Sequence, residues 1–158
     1  MDTLFSFSNL LVMPFWLLMI FLPHWRWSKR IISSIWIVVP AAALYALLIL
    51  PGLVNLIPAL LSPTLAGIAA LLGTPEGATI AWVHFLAFDL FVGRWVYLDS
   101  HQRGVSAWLT SPTLFFILMF GPLGLLLYLG VRALTGKRNP VEGQVSTFSA
   151  TSATLRRM

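Results

Sequence analysis

Long apolar runs alternate with short polar breaks along the chain, and the runs have the length of membrane spans. The first, Leu4–Leu22, stops at Pro23 and is followed by His24-Trp25-Arg26-Trp27-Ser28-Lys29-Arg30, where two tryptophans sit among three cations. The second, Ile31–Leu50, closes at Pro51-Gly52. The third, Ala78–Leu98, lies between the turn Gly73–Gly77 and the polar break Asp99–Gly104. The fourth, Pro112–Leu134, is interrupted by Gly121-Pro122 and Gly124. A helix needs about 20 apolar residues to cross a hydrocarbon core roughly 30 Å thick. The pattern therefore predicts an all-α integral membrane bundle of four transmembrane helices. Between the second and third runs, Gly52–Leu72 is apolar but broken by Asn55, Pro58, Ser62, Pro63 and Thr64. Lipid cannot satisfy the backbone groups such breaks release, at several kcal/mol for each. That stretch reads as a loop and a short interfacial or re-entrant helix, Thr64–Leu72, with a fifth span as the competing reading.

Composition agrees with a membrane solvent. The chain is 58% hydrophobic and 9% charged, where a soluble domain carries about 25% charged residues. One transmembrane domain over residues 1–135 is expected, followed by a polar tail, 136–158, rich in Ser and Thr and expected to lack fixed structure. The first run has no basic start and no small-residue cleavage site, so it reads as a retained helix and not a signal peptide. No Arg- and Ser-rich transit extension precedes it, which fits a bacterial or mature chain, in a bacterial cytoplasmic or thylakoid membrane.

The net charge of +5 does not point to nucleic acid, because the cations gather at the ends of apolar runs and in the tail. Arg26, Lys29 and Arg30 form one group, Arg132, Lys137 and Arg138 a second, Arg156 and Arg157 a third. That is how cytoplasmic loops are charged, and the expected partner is the lipid bilayer. Charge and proline placement disagree on the number of spans. Four spans put the first and second basic groups on opposite sides and five put them on one side, while the prolines favour four.

Absences remove several chemistries. Without cysteine there are no disulfides, thiolate metal sites or iron–sulfur clusters. Three histidines are too few for the histidine boxes of membrane di-iron oxygenases, and neither lysine lies inside an apolar run. No glycine-rich phosphate loop is present. Neither cofactor nor metal is expected.

Asp89 lies near the centre of the third run. A carboxylate at that depth costs at least ~2.5–3.5 kcal/mol on insertion scales, so it calls for a role. His84 precedes it by five residues and Arg94 follows it by five. Each is displaced by about 7.5 Å along a helix axis and turned by about 500°, so each points roughly 140° away from Asp89 and the three cannot share one face. The third helix is therefore expected to be central, with neighbours on several sides. Asp89, His84 and Arg94 are the candidate catalytic residues, and Trp82, Phe85, Phe88 and Trp95 could stack a flat ligand. Plainer roles stand beside these: Arg94 snorkelling to headgroups, His84 packing with a hydrogen bond, Asp89 bonding to a neighbouring helix. Asp99 and His101 read as solvated residues of the polar break. Pro14, Pro40 and Pro122 would each free the carbonyl four residues earlier.

The run Trp82-x-His84-x-Leu86-x-Phe88-Asp89-Leu90-Phe91-Val92-Gly93-Arg94-Trp95, followed by Asp99, resembles the signature of the abscisic-acid-deficient-four-like family. Ser111-Pro112-Thr113-Leu114, Phe120-Gly121-Pro122-Leu123-Gly124-Leu125-Leu126-Leu127-Tyr128 and Leu65-Ala66-Gly67-Ile68 extend the resemblance over about residues 4–134. It implies four spans and a place in xanthophyll metabolism, since plant members are required to make neoxanthin from violaxanthin in plastid membranes. That conversion is an isomerisation needing no redox cofactor. An acid assists epoxide opening and a base removes a polyene proton, roles open to Asp89 and His84 in either order. The competing readings are a carotenoid or lipid binder without chemistry, an assembly subunit with membrane-protein partners, and a small transporter or proton path through Asp89.

Overall fold

A computed structural model describes residues 1–135, all of whose regular structure is helical. The tail expected at 136–158 lies outside the described residues. In chain order the α-helices are α1 (Asp2–Phe21), α2 (Arg26–Ser33), α3 (Val39–Ile49), α4 (Leu53–Leu61), α5 (Leu65–Leu72), α6 (Pro75–Arg103), α7 (Ala107–Phe120) and α8 (Pro122–Thr135). Three segments are long and apolar enough to cross a membrane: Asp2–Phe21, Val39–Leu61 and Pro75–Arg103.

The expected second run starts later than its hydrophobicity suggests. Ser34 takes an extended backbone, ends α2, and accepts the Trp36 N–H with its Oγ at 3.3 Å, which opens a short 3₁₀ turn before α3. The basic break is thus partly a helix, with Ser28 and Ile32 buried against the bundle and Arg26, Lys29 and Arg30 outward. The ambiguous stretch divides in two. Leu53–Leu61 continues the second long segment through a 3₁₀ turn at Leu50–Gly52, keeping Pro58 within α4. Leu65–Leu72 is a separate short helix, capped by Thr64 Oγ1 accepting the Gly67 N–H at 3.1 Å. Pro40 and Pro122 stand at helix starts, where a missing N–H costs nothing, and so free no carbonyl.

The first and third long segments run parallel. Phe5 and Asn9 meet Trp82, Trp16 meets Gly93, and the Tyr97 hydroxyl donates to the Pro23 carbonyl at 2.8 Å. A Cβ at Gly93 would overlap the Trp16 ring, so this glycine sets how closely α1 and α6 approach. Gly93→Leu is expected to destabilise the bundle by about 1–3 kcal/mol, the usual cost of overpacking a close-packed interface. Denaturant titration in detergent micelles measures it; an unchanged midpoint would refute this contact.

The largest departure from the sequence pattern concerns the fourth run. Gly121, at φ 42°, divides it into two helices of 14 residues each. Each is about 21 Å long at 1.5 Å per residue, too short for a core of roughly 30 Å. They fold back on each other. A Cβ on Gly124 would overlap the backbone of Phe116 and Ile117, residues that a continuous helix would hold about 10 Å away. α7 leaves the C-terminal end of α6, Gly121 meets Asp89, and α8 returns to place Tyr128 and Arg132 beside Asp99. Where four spans are expected, the described residues give three long segments and a hairpin whose tip reaches the middle of α6.

Among the described residues the cations gather at one end of the bundle. α2, the end of α6 and the end of α8 all lie at one end of the bundle, and they carry Arg26, Lys29, Arg30, Arg103 and Arg132. Asp2 and Glu76 begin α1 and α6 at the other.

Candidate functional site

Asp89 stands at the midpoint of α6, flanked on the helix surface by exposed aromatics. A groove of about 520 Å³ opens over it, walled by Asn9 and Met13 of α1, by α6 from Trp82 to Val92, and by the hairpin tip Leu118–Pro122. Each wall has a local cause. Asn9 is held by its Nδ2 donating to the Phe5 carbonyl at 2.9 Å, and its Oδ1 accepts the Trp82 indole N–H at 3.1 Å. Gly121 supplies the positive φ of the turn, which glycine adopts without strain. It also leaves room for the carboxyl, since an added Cβ would lie 2.8 Å from Asp89 Oδ1.

Asp89 therefore sits where α7 ends and α8 begins.

His84 lines the same groove. Its ring lies 4.7 Å from Phe88, and it meets the Tyr45 ring edge-on at 5.2 Å. It also borders a smaller cavity between α3, α4 and α6, so it separates two apolar spaces. Trp82, Phe85 and Phe88 line the Asp89 groove as well.

Arg94 and Trp95 are elsewhere. Arg94 donates from Nε to the Ser34 carbonyl at 3.2 Å and from Nη2 to the Ser33 carbonyl, pairing a cation with the C-terminal end of α2. Trp95 packs edge-on against Tyr128 at 5.8 Å, with the Arg132 guanidinium 5.7 Å over its ring. His84, Asp89 and Arg94 thus face three neighbours: the α3 side, the hairpin tip and α2.

Comparison with known proteins places this arrangement. The ABA DEFICIENT 4-like family model matches residues 3–128. The chain belongs to that family. A curated relative, Protein ABA DEFICIENT 4, chloroplastic, of Arabidopsis thaliana, is 26% identical over 142 residues, 84% of this chain and 62% of that protein. The chain thus spans less than two thirds of the relative's length. No solved structure matches.

In this ABA DEFICIENT 4-like chain a second polar cluster fastens the hairpin. Asp99 Oδ1 accepts Arg103 Nε at 3.0 Å, Asp99 Oδ2 accepts the Tyr128 hydroxyl at 2.7 Å, and Arg132 Nε lies 2.9 Å from Oδ2. Asp99 and Arg103 are buried. The reading of Asp99 as a solvated break residue is corrected: α6 runs on to Arg103, and the carboxylate is covered by the returning α8. His101 is likewise engaged, with Nδ1 2.8 Å from the Tyr97 carbonyl and Nε2 3.1 Å from that of Pro23. A signal for the cluster lay in the spacing, because Asp99/Arg103 and Tyr128/Arg132 are both i,i+4 pairs.

Proposed function

We propose that this protein acts in carotenoid metabolism as a cofactor-independent isomerase of the neoxanthin-forming type, in a thylakoid or bacterial cytoplasmic membrane. The observation that carries the reading is that His84 and Asp89, an imidazole and a carboxyl, line one apolar groove at mid-depth. A polyene end group would enter from the lipid and stack on Trp82, Phe85 and Phe88. The Asp89 carboxyl gives its proton to the epoxide oxygen as a ring C–O bond breaks. The His84 imidazole takes the proton from the adjoining polyene carbon, and that electron pair forms the second of two cumulated double bonds. One proton is given and one taken, so substrate and product share a formula and no oxidant is needed. Arg94 is placed here as a residue that fixes α2 to α6.

A second reading, a carotenoid holder without chemistry, is favoured by the exposure of the same aromatics: Trp82 39%, Phe85 57% and Phe88 60%. One experiment separates the two. The full chain in lipid nanodiscs is given violaxanthin with no cofactor added, and the extract is analysed by chromatography and mass spectrometry. Isomerisation predicts a product of unchanged mass with altered retention. Violaxanthin bound but recovered intact supports the holder, and absence of binding refutes both.

A further inference from the structure

We infer that Asn9 determines specificity in the Asp89 groove, its side-chain amide donating to a hydroxyl carried on the same end ring as the epoxide. The inference rests on the carotenoid reading of that groove and extends it from the reacting bond to the whole ring.

The polar side chains that line the groove are Asn9, His84, Asp89 and Trp82. The Trp82 indole N–H is already given to Asn9. With His84 and Asp89 engaged in proton transfer, the Asn9 amide is left to recognise the ligand.

The orientation of that amide follows from its partners. An indole N–H only donates and a backbone carbonyl only accepts. Asn9 Oδ1 is therefore the atom at Trp82 Nε1, 3.1 Å away, and Nδ2 the atom at the Phe5 carbonyl, 2.9 Å away. Phe5 and Trp82 hold the amide between them, their rings 5.3 Å apart. An amide nitrogen carries two hydrogens, and among the described residues only one of them is bonded. Asn9 stands seven residues inside α1, about 10 Å from the helix start. Hydrocarbon chains offer no acceptor at that depth. An oxygen brought by a ligand is worth more there than in water.

The spacing selects the ligand. Trp82 precedes Asp89 by seven residues, about 10 Å along α6 and within about 20° around it. The amide bonded to Trp82 therefore lies over the face that carries the carboxyl, on the order of 10 Å from it. A six-membered ring with an epoxide and, two carbons away, a hydroxyl keeps its oxygens about 4–5 Å apart. A hydrogen bond of about 2.8 Å at each end brings the span to that length. Both polar points then serve one end ring. His84 is turned to another side of α6, so carboxyl, amide and imidazole form a triangle. Three points fix both the face and the direction in which the ring meets the acid.

The test uses the full chain in phosphatidylcholine nanodiscs, titrated with violaxanthin and with β-carotene diepoxide, which has the same epoxide rings without hydroxyls. Binding is read by the polyene's absorption shift and induced circular dichroism, so the result does not depend on turnover. Empty nanodiscs correct for partition into lipid. Wild-type protein is expected to bind violaxanthin about tenfold more tightly, the effect of one well-made hydrogen bond. Asn9→Leu and Asn9→Ala should each bring the two affinities together, with far-ultraviolet circular dichroism confirming the fold. Trp82→Phe removes the indole donor but keeps an aromatic ring, and should weaken both ligands alike while preserving the preference. Equal affinities in the wild type, or a preference that survives loss of Asn9, overturn the inference and leave the carotenoid reading standing. So does a preference lost equally in Trp82→Phe, which would make Asn9 a prop for the indole. Wild-type protein that binds neither polyene overturns both.

Discussion

Asp89→Asn is expected to abolish conversion of the epoxide while leaving pigment binding in place. The amide keeps the shape of the carboxyl beside Gly121 but has no proton to give to an oxygen leaving carbon. General acid–base groups contribute about 10²–10⁴ in rate, so turnover should fall at least 100-fold. Folding should be little affected, because neither ion pair among the described residues includes Asp89. The measurement is the pigment profile of a carotenoid-producing host carrying the wild-type or the variant chain, with pigment bound to purified protein as the control. Unchanged products would remove Asp89 from catalysis. Lost pigment binding would instead give the carboxyl a role in holding the ligand.

The second large effect is expected at Asp99. Asp99→Ala leaves two guanidinium groups, Arg103 and Arg132, without their carboxylate and the Tyr128 hydroxyl without its acceptor. Removing one partner of a buried ion pair costs about 3–5 kcal/mol. Arg132 is 30% exposed and can turn toward headgroups, which places the cost at the lower end. The loss should be local, with α8 released before the three long segments part. Hydrogen exchange by mass spectrometry should show faster exchange in α7 and α8 and little change in α1. Uniform loss of protection, or none, would count against the clamp. Conversion should fall too, because the hairpin tip would no longer be held over Asp89.

The first and third long segments were readable in the sequence because apolar length reports directly on the thickness of the surrounding solvent, whereas the second runs Val39–Leu61 where Ile31–Leu50 was expected. Asp89 could be picked out for the same reason, as one polar residue in a long apolar run. The hairpin could not. Gly121-Pro122 is a visible break, but a kink and a reversal look alike in one dimension. What decides between them here is Asp99 meeting Arg132 across 33 residues of chain. Polarity placed Asp99 in a loop because it records how hydrophilic a residue is and not whether a partner covers it. Helical angles placed His84 and Asp89 on different faces, as the structure has them. The groove nonetheless joins them, because it is bounded by three elements and wraps around more than one face of α6.

The hairpin tip stops at Asp89 and so does not reach the N-terminal half of α6. On that flank α7 and α8 cover the C-terminal half of α6 and leave its N-terminal half uncovered by the hairpin. The groove over the carboxyl extends past the hairpin tip to Asn9 and Trp82. On the proposed carotenoid reading, an end group would reach the carboxyl along the groove from the side where α1 begins, without passing through water. On that reading only an end presented from that side would meet the acid, so two chemically identical ends would be told apart by the side of the bundle each occupies.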